Sequence, residues 1–390
     1  MKSRTKKILK MIKTISKYLF YSFICKVKRI DNSDVWLLAE RGVDARDNTY
    51  HFYNYLKRNH PEVRIKYIIS NDSPDRNRII DEDIVEYGSK EHFILFKTAG
   101  VLISTHIMGY SPDTSLFWRM DRIRKIKLKG KRVFLQHGVT CSRVQSLERD
   151  VARLDLFITC SNNETNYIKD EYGYDDSIVK CTGFARFDKL IDRSKKDDAK
   201  ILIMPTFRKW LNYSDKFEDS EYFKRWNGLL NNEDFIDFVE KKNIKVLFYP
   251  HFEIQKRLNC FKSKSDNIVI CSMNDYDVQD LLLQSNILIT DFSSVAFDFG
   301  YMNKPIIYYH FDIDDYYAKH YQRGYFDYKK DGFGETPNNI DDLVQLIKKY
   351  ETSGFRMRKE YEKRLSGFFS HMDFDNCARI YEEIKELREE

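Results

Sequence analysis

Few residues break this 390-residue chain: 7 prolines and 15 glycines, too few for collagen-like, low-complexity or Gly/Pro-rich disordered architectures. None of the seven cysteines (Cys25, Cys141, Cys160, Cys181, Cys260, Cys271, Cys377) forms a C-x-x-C pair or clusters with histidine. A disulfide framework and a zinc site are therefore unexpected, and a reducing, cytoplasmic compartment is the natural reading. No GxxxxGK[ST] occurs, and Gly332-Phe-Gly334 lacks the third glycine of a dinucleotide fingerprint, so no cofactor is expected. The nominal Asp-x-Asp pairs, Asp81/Asp83 and Asp312/Asp314, arise by chance in so acidic a chain, and no metal is expected.

Acidic residues are missing from one place only. Of 66 basic residues, ten fall in the first thirty positions, which hold no acid; the other 56 face 60 acidic residues. The net charge of +6 thus belongs to one segment, and a general nucleic-acid binder is not indicated. Within residues 1–30, Ile8, Met11, Ile12, Ile15, Leu19 and Phe23 recur at three- and four-residue spacings between lysines, predicting a basic amphipathic helix. Its longest nearly apolar stretch, Tyr18 to Val27, is about ten residues against the roughly 20 that span a bilayer. No small-x-small cleavage site follows Cys25, so the expectation is in-plane association with an anionic membrane surface. A second basic run, 118–132, adds interleaved Ile123, Ile126 and Leu128 and is a second candidate membrane contact.

After residue 31, short β-branched or aromatic runs alternate with amphipathic segments, the pattern of βαβ units in an α/β protein. Strands are expected at 35–39, 65–70, 100–104, 132–136 and 155–159, then at 200–204, 244–249, 267–271, 286–290 and 305–309. Late helices are expected at 341–350 and 371–387. The polar stretch 192–199 separates the series, predicting Rossmann-like domains at 31–195 and 196–390 facing a cleft.

Ligands of such sheets bind beyond the carboxyl ends of the strands. His137, before Gly138, ends one strand and is placed to accept a proton near neutral pH. His106 repeats the logic more weakly, and His251 ends a strand of the second half. In Thr290-Asp-Phe-Ser-Ser-Val-Ala-Phe-Asp298 a strand runs into Ser293 and Ser294 at a helix start, a candidate phosphate site. Thr206 and Arg208 add a hydroxyl and a guanidinium after the first strand of the second half.

Together these segments resemble the CDP-glycerol glycerophosphotransferase family, enzymes that prime and polymerise teichoic-acid-like chains. The similarity is strongest over residues 277–298 and Lys304-Pro-Ile-Ile307, with support from His137-Gly138, Gly183–Asp188 and Met204–Arg208. It implies a glycosyltransferase-B fold and attack of an acceptor hydroxyl on the β-phosphorus of a CDP-polyol, with release of CMP. The domain 31–195 would serve the acceptor and 196–390 the donor. By the same resemblance His137 is the general base, His251 lies near the diphosphate, Ser293 and Ser294 hold phosphate oxygens, and Asp298 bonds the ribose. A lipid-linked acceptor at the cytoplasmic face of the membrane is implied as partner. Two departures stand out: Gln136-His-Gly-Val-Thr140 lacks the family's tryptophan and proline, and His251 follows a proline instead of preceding one. The chain's length looks like that of a primase-type or capsule-type relative. A UDP-sugar transferase or epimerase on the same fold, or a non-catalytic membrane scaffold, are the alternatives.

Overall fold

The computed structural model describes residues 2–123, 126–211 and 217–389. Its strands, in chain order, are β1 (Asn32–Ala39), β2 (Arg64–Ile69), β3 (Ile84–Glu86), β4 (Ala99–Ser104), β5 (Lys131–Phe134), β6 (Ser142–Arg143), β7 (Leu156–Thr159), β8 (Val179–Cys181), β9 (Lys200–Met204), β10 (Lys245–Phe248), β11 (Ile268–Ile270), β12 (Ile287–Thr290), β13 (Ile306–Tyr308), β14 (Gln322–Arg323) and β15 (Gly334–Glu335). Leu-Phe-Ile-Thr in β7 and Ile-Leu-Ile-Thr in β12 are buried at every position, because helices cover both faces of a parallel sheet. All ten expected strands form, with ends within three residues of those read from the sequence.

Two compact units result. The first comprises residues 1–139, 144–188 and 373–390; the second comprises 140–143 and 189–372. The first holds a seven-stranded parallel sheet of order β3-β2-β1-β4-β5-β7-β8. The second holds a six-stranded parallel sheet of order β11-β10-β9-β12-β13-β15 and a small antiparallel pair, β14 with β6. Strand order reverses beside β1 in one sheet and beside β9 in the other. A crevice opens at such a reversal, so the residues after β1, β4, β9 and β12 are positioned for chemistry.

The boundary expected at 195/196 is corrected to 188/189. Lys304 Nζ bonds Asp192 at 3.1 Å, and Asn286 donates to the Lys195 carbonyl, so the polar stretch is part of the second unit. The C-terminal helix Asn376–Glu389, expected with the second domain, belongs instead to the first. Its start is held by Asp188, whose carboxylate accepts from the Asn376 amide (2.9 Å), the Asn376 side chain (2.7 Å) and the Cys377 amide (2.9 Å). Gly183, at φ 81°, is required here: a Cβ would enter the Asn376 side chain.

Helix α1 spans Lys2–Val27 and docks through Tyr18 and Cys25. Tyr18 meets Phe117 edge-on at 5.2 Å and Phe96 of α3 (Lys90–Thr98) at 6.2 Å. Ile8, Leu9, Met11, Ile12, Leu19, Phe20, Phe23 and Val27 stay exposed. Among the described residues, no helix is long and apolar enough to cross a membrane. In the second basic run, Arg124 and Lys125 lie outside the described residues. Arg132 does not join a cationic face: it is buried in β5 on Asp121, at 2.8 and 2.9 Å.

Asp188→Ala should cost about 1–3 kcal/mol, since it strands three N–H donors, one on the fully buried Asn376. A lowered urea midpoint, with faster proteolysis of the C-terminal helix, is the expected result; an unchanged midpoint would contradict it.

Candidate active site

In the first unit the site is built on the turn after β5. Gln136 adopts φ 56°, a left-handed conformation costly for a residue with a Cβ, so neighbouring groups must hold it. Buried Asn48, at the start of α2 (Asn48–Asn59), donates to the Leu135 and Gln136 carbonyls at 3.1 and 2.8 Å. The Gln136 amide reaches the Ile158 carbonyl (2.6 Å) and Glu164 (3.1 Å). The buried Gln136 side chain is thus committed to hydrogen bonds.

The turn leaves His137 exposed, its ring stacked on His106 at 4.8 Å and 13°. His106 is fixed by Thr105, whose hydroxyl lies 3.0 Å from Nδ1, and by its own amide donating to Ser104. Desolvation lowers the His137 pKa to about 4, helped by the Arg186 and Arg41 guanidiniums. The ring is therefore a neutral imidazole at pH 7. His106 is lowered to about 2 by desolvation, His137 and Arg41. Arg186 is held by Asp47 at 2.9 Å, over the rings of Phe184 and Phe187. Buried Glu40, at the end of the β1 run, accepts the amides of Arg46, Asp47 and Tyr50 and so shapes the loop that carries Arg41 and Asp47.

In the second unit the loop after β9 and the loop after β12 are joined by Asp291. Its Oδ1 accepts the amides of Thr206 (2.8 Å) and Phe292 (2.7 Å). Arg208, with no solvent exposure, donates to Asp312 at 2.7 and 2.8 Å and lies 2.9 Å from Asp291. It also bonds the Thr206 carbonyl at 2.8 Å, and its guanidinium faces the Phe292 and Tyr316 rings. Burial alone would lower its pKa, but the two carboxylates hold it above the usual value.

His251 caps the short helix Phe252–Gln255, its Nδ1 accepting from the Glu253 amide at 3.3 Å, and its own amide bonds the Pro205 carbonyl. Its ring stacks on Phe207 at 4.5 Å; on the other side Phe207 meets His320 edge-on at 4.8 Å. Ser293 and Ser294 are part-exposed at the start of the helix Val295–Tyr301, and the Ser294 side chain makes no cap bond.

With this geometry in view, the sequence profile of the CDP-glycerol:poly(glycerophosphate) glycerophosphotransferase family matches residues 19–386. The chain belongs to that family. Among curated relatives, the minor teichoic acid biosynthesis protein GgaB of Bacillus subtilis (strain 168) is 36% identical over 369 residues, covering 90% of this chain and 40% of GgaB. A teichoic acid poly(glycerol phosphate) polymerase of Staphylococcus epidermidis is 23% identical, covering 84% and 46%. The chain therefore spans less than half of either relative. It spans 90% of the teichoic acid glycerol-phosphate transferase of Staphylococcus aureus (strain NCTC 8325 / PS 47), at 23% identity over 87% of its own length. In fold it is similar to a solved wall teichoic acid polymerase TagF, with TM-score 0.75, 18% identity and coverage of 99% and 98%. It is less similar to a UDP-N-acetylglucosamine 2-epimerase, with TM-score 0.52, 13% identity and coverage of 91% and 96%.

Of the expected site residues, His137 emerges exposed on a firmly held turn. Thr206 and His251 gather around Phe207, and Asp291 ties the Thr206 amide to that of Phe292, the residue before Ser293. Arg208 is a correction: its charge is committed to Asp291 and Asp312, so it is a strut and not a phosphate ligand. Asp298 is only 3% exposed within its helix, which leaves its carboxylate little surface for a ribose. The nominal metal pairs are likewise engaged, Asp312 by Arg208 and Asp83 by Tyr53 and Lys57. His320 was invisible in the sequence, since it ends no strand and precedes no glycine.

Arg208→Met should destabilise the protein by about 3–5 kcal/mol by leaving two buried carboxylates unpaired. Denaturant unfolding with and without donor tests this; a stable variant with only weakened donor binding would return Arg208 to the ligand set.

Proposed function

We infer that this chain transfers a polyol phosphate, glycerol phosphate in the first instance, from a CDP-activated donor to a hydroxyl of a membrane-linked acceptor. The observation carrying this reading is the exposed, neutral His137 imidazole on a turn locked by buried hydrogen bonds. In the proposed step the acceptor oxygen bonds to the β-phosphorus, the bond from that phosphorus to CMP breaks, and the acceptor proton passes to His137. Such a transfer needs little beyond positioning and charge stabilisation. Thr206, His251, Ser293 and Ser294 are assigned to the donor diphosphate. Family membership supports the CDP-polyol donor, as does a TagF variant of the same fold (TM-score 0.73) solved after soaking with CDPG. The two units are read as a glycosyltransferase-B pair, the first serving the acceptor and the second the donor.

The apolar side chains that α1 leaves exposed lie beside exposed lysines Lys6, Lys10, Lys13 and Lys26. We assign them to in-plane binding at the anionic cytoplasmic face of the membrane, where a lipid-linked acceptor would lie.

Thermal protection by CDP-glycerol, CDP-ribitol, CMP and UDP-sugars tests the donor. A ligand at a hundred times its Kd adds about 2.7 kcal/mol to stability. Protection by a CDP-polyol and CMP alone is expected; protection by UDP-sugars alone would move the chain to sugar chemistry. His137→Ala should lose about 10²- to 10⁴-fold in transfer while still binding donor, and a fully active, folded variant would overturn the base assignment. The pH profile has a definite sign. Because His137 acts when neutral and its pKa is lowered, kcat/KM should rise with pH below the ordinary histidine value of about 6.5 and be flat above it. Arg186→Gln removes a repelling cation, so the acid limb should move to higher pH; a shift to lower pH would contradict the electrostatics.

A further inference from the structure

The second unit contains a buried hydrogen-bond donor that the fold does not use. His320 follows the helix Ile313–Lys319 and is 8% exposed. Its ring stacks on Tyr316 at 4.8 Å and 17° and meets Phe207 edge-on. Its Nδ1 accepts the Lys209 amide at 3.3 Å, which puts the proton of the neutral ring on Nε2. Desolvation, with repulsion from Lys209, Arg208 and His251, lowers the pKa and keeps the ring neutral. Among the described residues, Nε2 has no hydrogen-bond partner. An unmet buried donor costs about 1–3 kcal/mol, and folded proteins retain few without cause.

A second unmet atom lies in the same neighbourhood. The Thr206 hydroxyl is buried and also unpartnered among the described residues, and Thr206 precedes the Phe207 ring that touches His320. This loop follows β9 at the carboxyl edge of the sheet, beside the strand-order reversal where ligands of such sheets bind. The nearby carboxylates, Asp291 and Asp312, are engaged by Arg208. Lys209 adds an ammonium that bonds the His320 carbonyl at 3.1 Å. The Nε2–H of His320 and the Thr206 hydroxyl are thus unmet, while Asp291 Oδ2, itself without a hydrogen bond, is charge-paired with Arg208 at 2.9 Å; two such donors suit a ligand that accepts hydrogen bonds.

We propose that His320 is a donor-binding residue whose Nε2–H, with the Thr206 hydroxyl, bonds non-bridging oxygens of the donor's diphosphate. The assignment rests on the CDP-polyol reading above and adds to it a ligand from the segment after β13. A neutral N–H suits this place, since it holds a phosphate oxygen without adding to the repulsion among Lys209, Arg208 and the histidines.

Two variants of the full chain test it by calorimetric titration with CDP-glycerol, cytidine and inorganic pyrophosphate. His320→Asn keeps an acceptor near Nδ1 for the Lys209 amide and loses the outer donor; His320→Gln carries an N–H near Nε2. His320→Asn should bind CDP-glycerol roughly 5- to 100-fold more weakly, the span of one unmet buried donor. His320→Gln should remain within about threefold, cytidine should bind all three proteins alike, and the unliganded melting temperature of His320→Asn should not fall. Unchanged CDP-glycerol affinity in His320→Asn overturns the proposal, as does equal loss in both variants with a lowered melting temperature, the mark of a structural role. Equal loss of cytidine binding also overturns it, because cytidine has no phosphate. Should the wild type bind pyrophosphate but no CDP-glycerol, and His320→Asn lose the pyrophosphate, the donor reading fails while the anion role of His320 stands.

Discussion

One guanidinium without solvent contact organises the second unit. Arg208 joins Asp291 after β12 to Asp312 before the helix Ile313–Lys319, and it ties both to the Thr206 carbonyl after β9. Charges this deep are tolerable only when every one is answered, because desolvation costs several kcal/mol per ion and a half-broken pair is worse than none. Asp291 carries the constraint further through the amides of Thr206 and Phe292. The hydroxyls of Thr206 and Ser293 and the rings of Phe207, His251 and His320 all depend on loops that this cluster positions.

The first unit reaches a similar end through hydrogen bonds centred on Gln136. A left-handed turn at Gln136 is fixed by neutral hydrogen bonds from Asn48 and to Ile158, and these aim His137 outward. Its partner in stacking is another imidazole, and two rings 4.8 Å apart do not both take a proton cheaply. Guanidiniums at Arg41 and Arg186 add to that bias. The histidines in both units are thus held neutral, as proton acceptor in one proposal and as uncharged donor in the other.

Much of this was legible along the chain. Strands with apolar runs such as Ile201–Met204 and Ile287–Ile289 announce themselves, as do even the three-residue β11 and β13, whereas the short β3, β8 and β15 hold no comparable run. The ends of the long strands located His137, His251, Thr206 and Ser293, because a parallel sheet puts ligands at its carboxyl edge. The domain boundary was misplaced because a polar stretch looks like a linker until Lys304 is seen to bind Asp192, 112 residues away. The C-terminal helix was assigned to the wrong unit for the same reason, since its anchor is Asp188, 188 residues before Asn376.

The sequence by itself determined the alternation of strands and helices, the basic apolar N-terminal helix, the family, and which residues end the strands. These follow from short-range patterns of hydrophobicity and turn chemistry. Only the tertiary structure decided which charges are spent and which groups remain open. Arg208 becomes a strut because a carboxylate 104 residues away folds against it, and His320 gains its unmet Nε2 because Lys209, 111 residues away, occupies the other ring nitrogen. Burial and pairing are properties of neighbours in space, and a linear pattern holds no record of them.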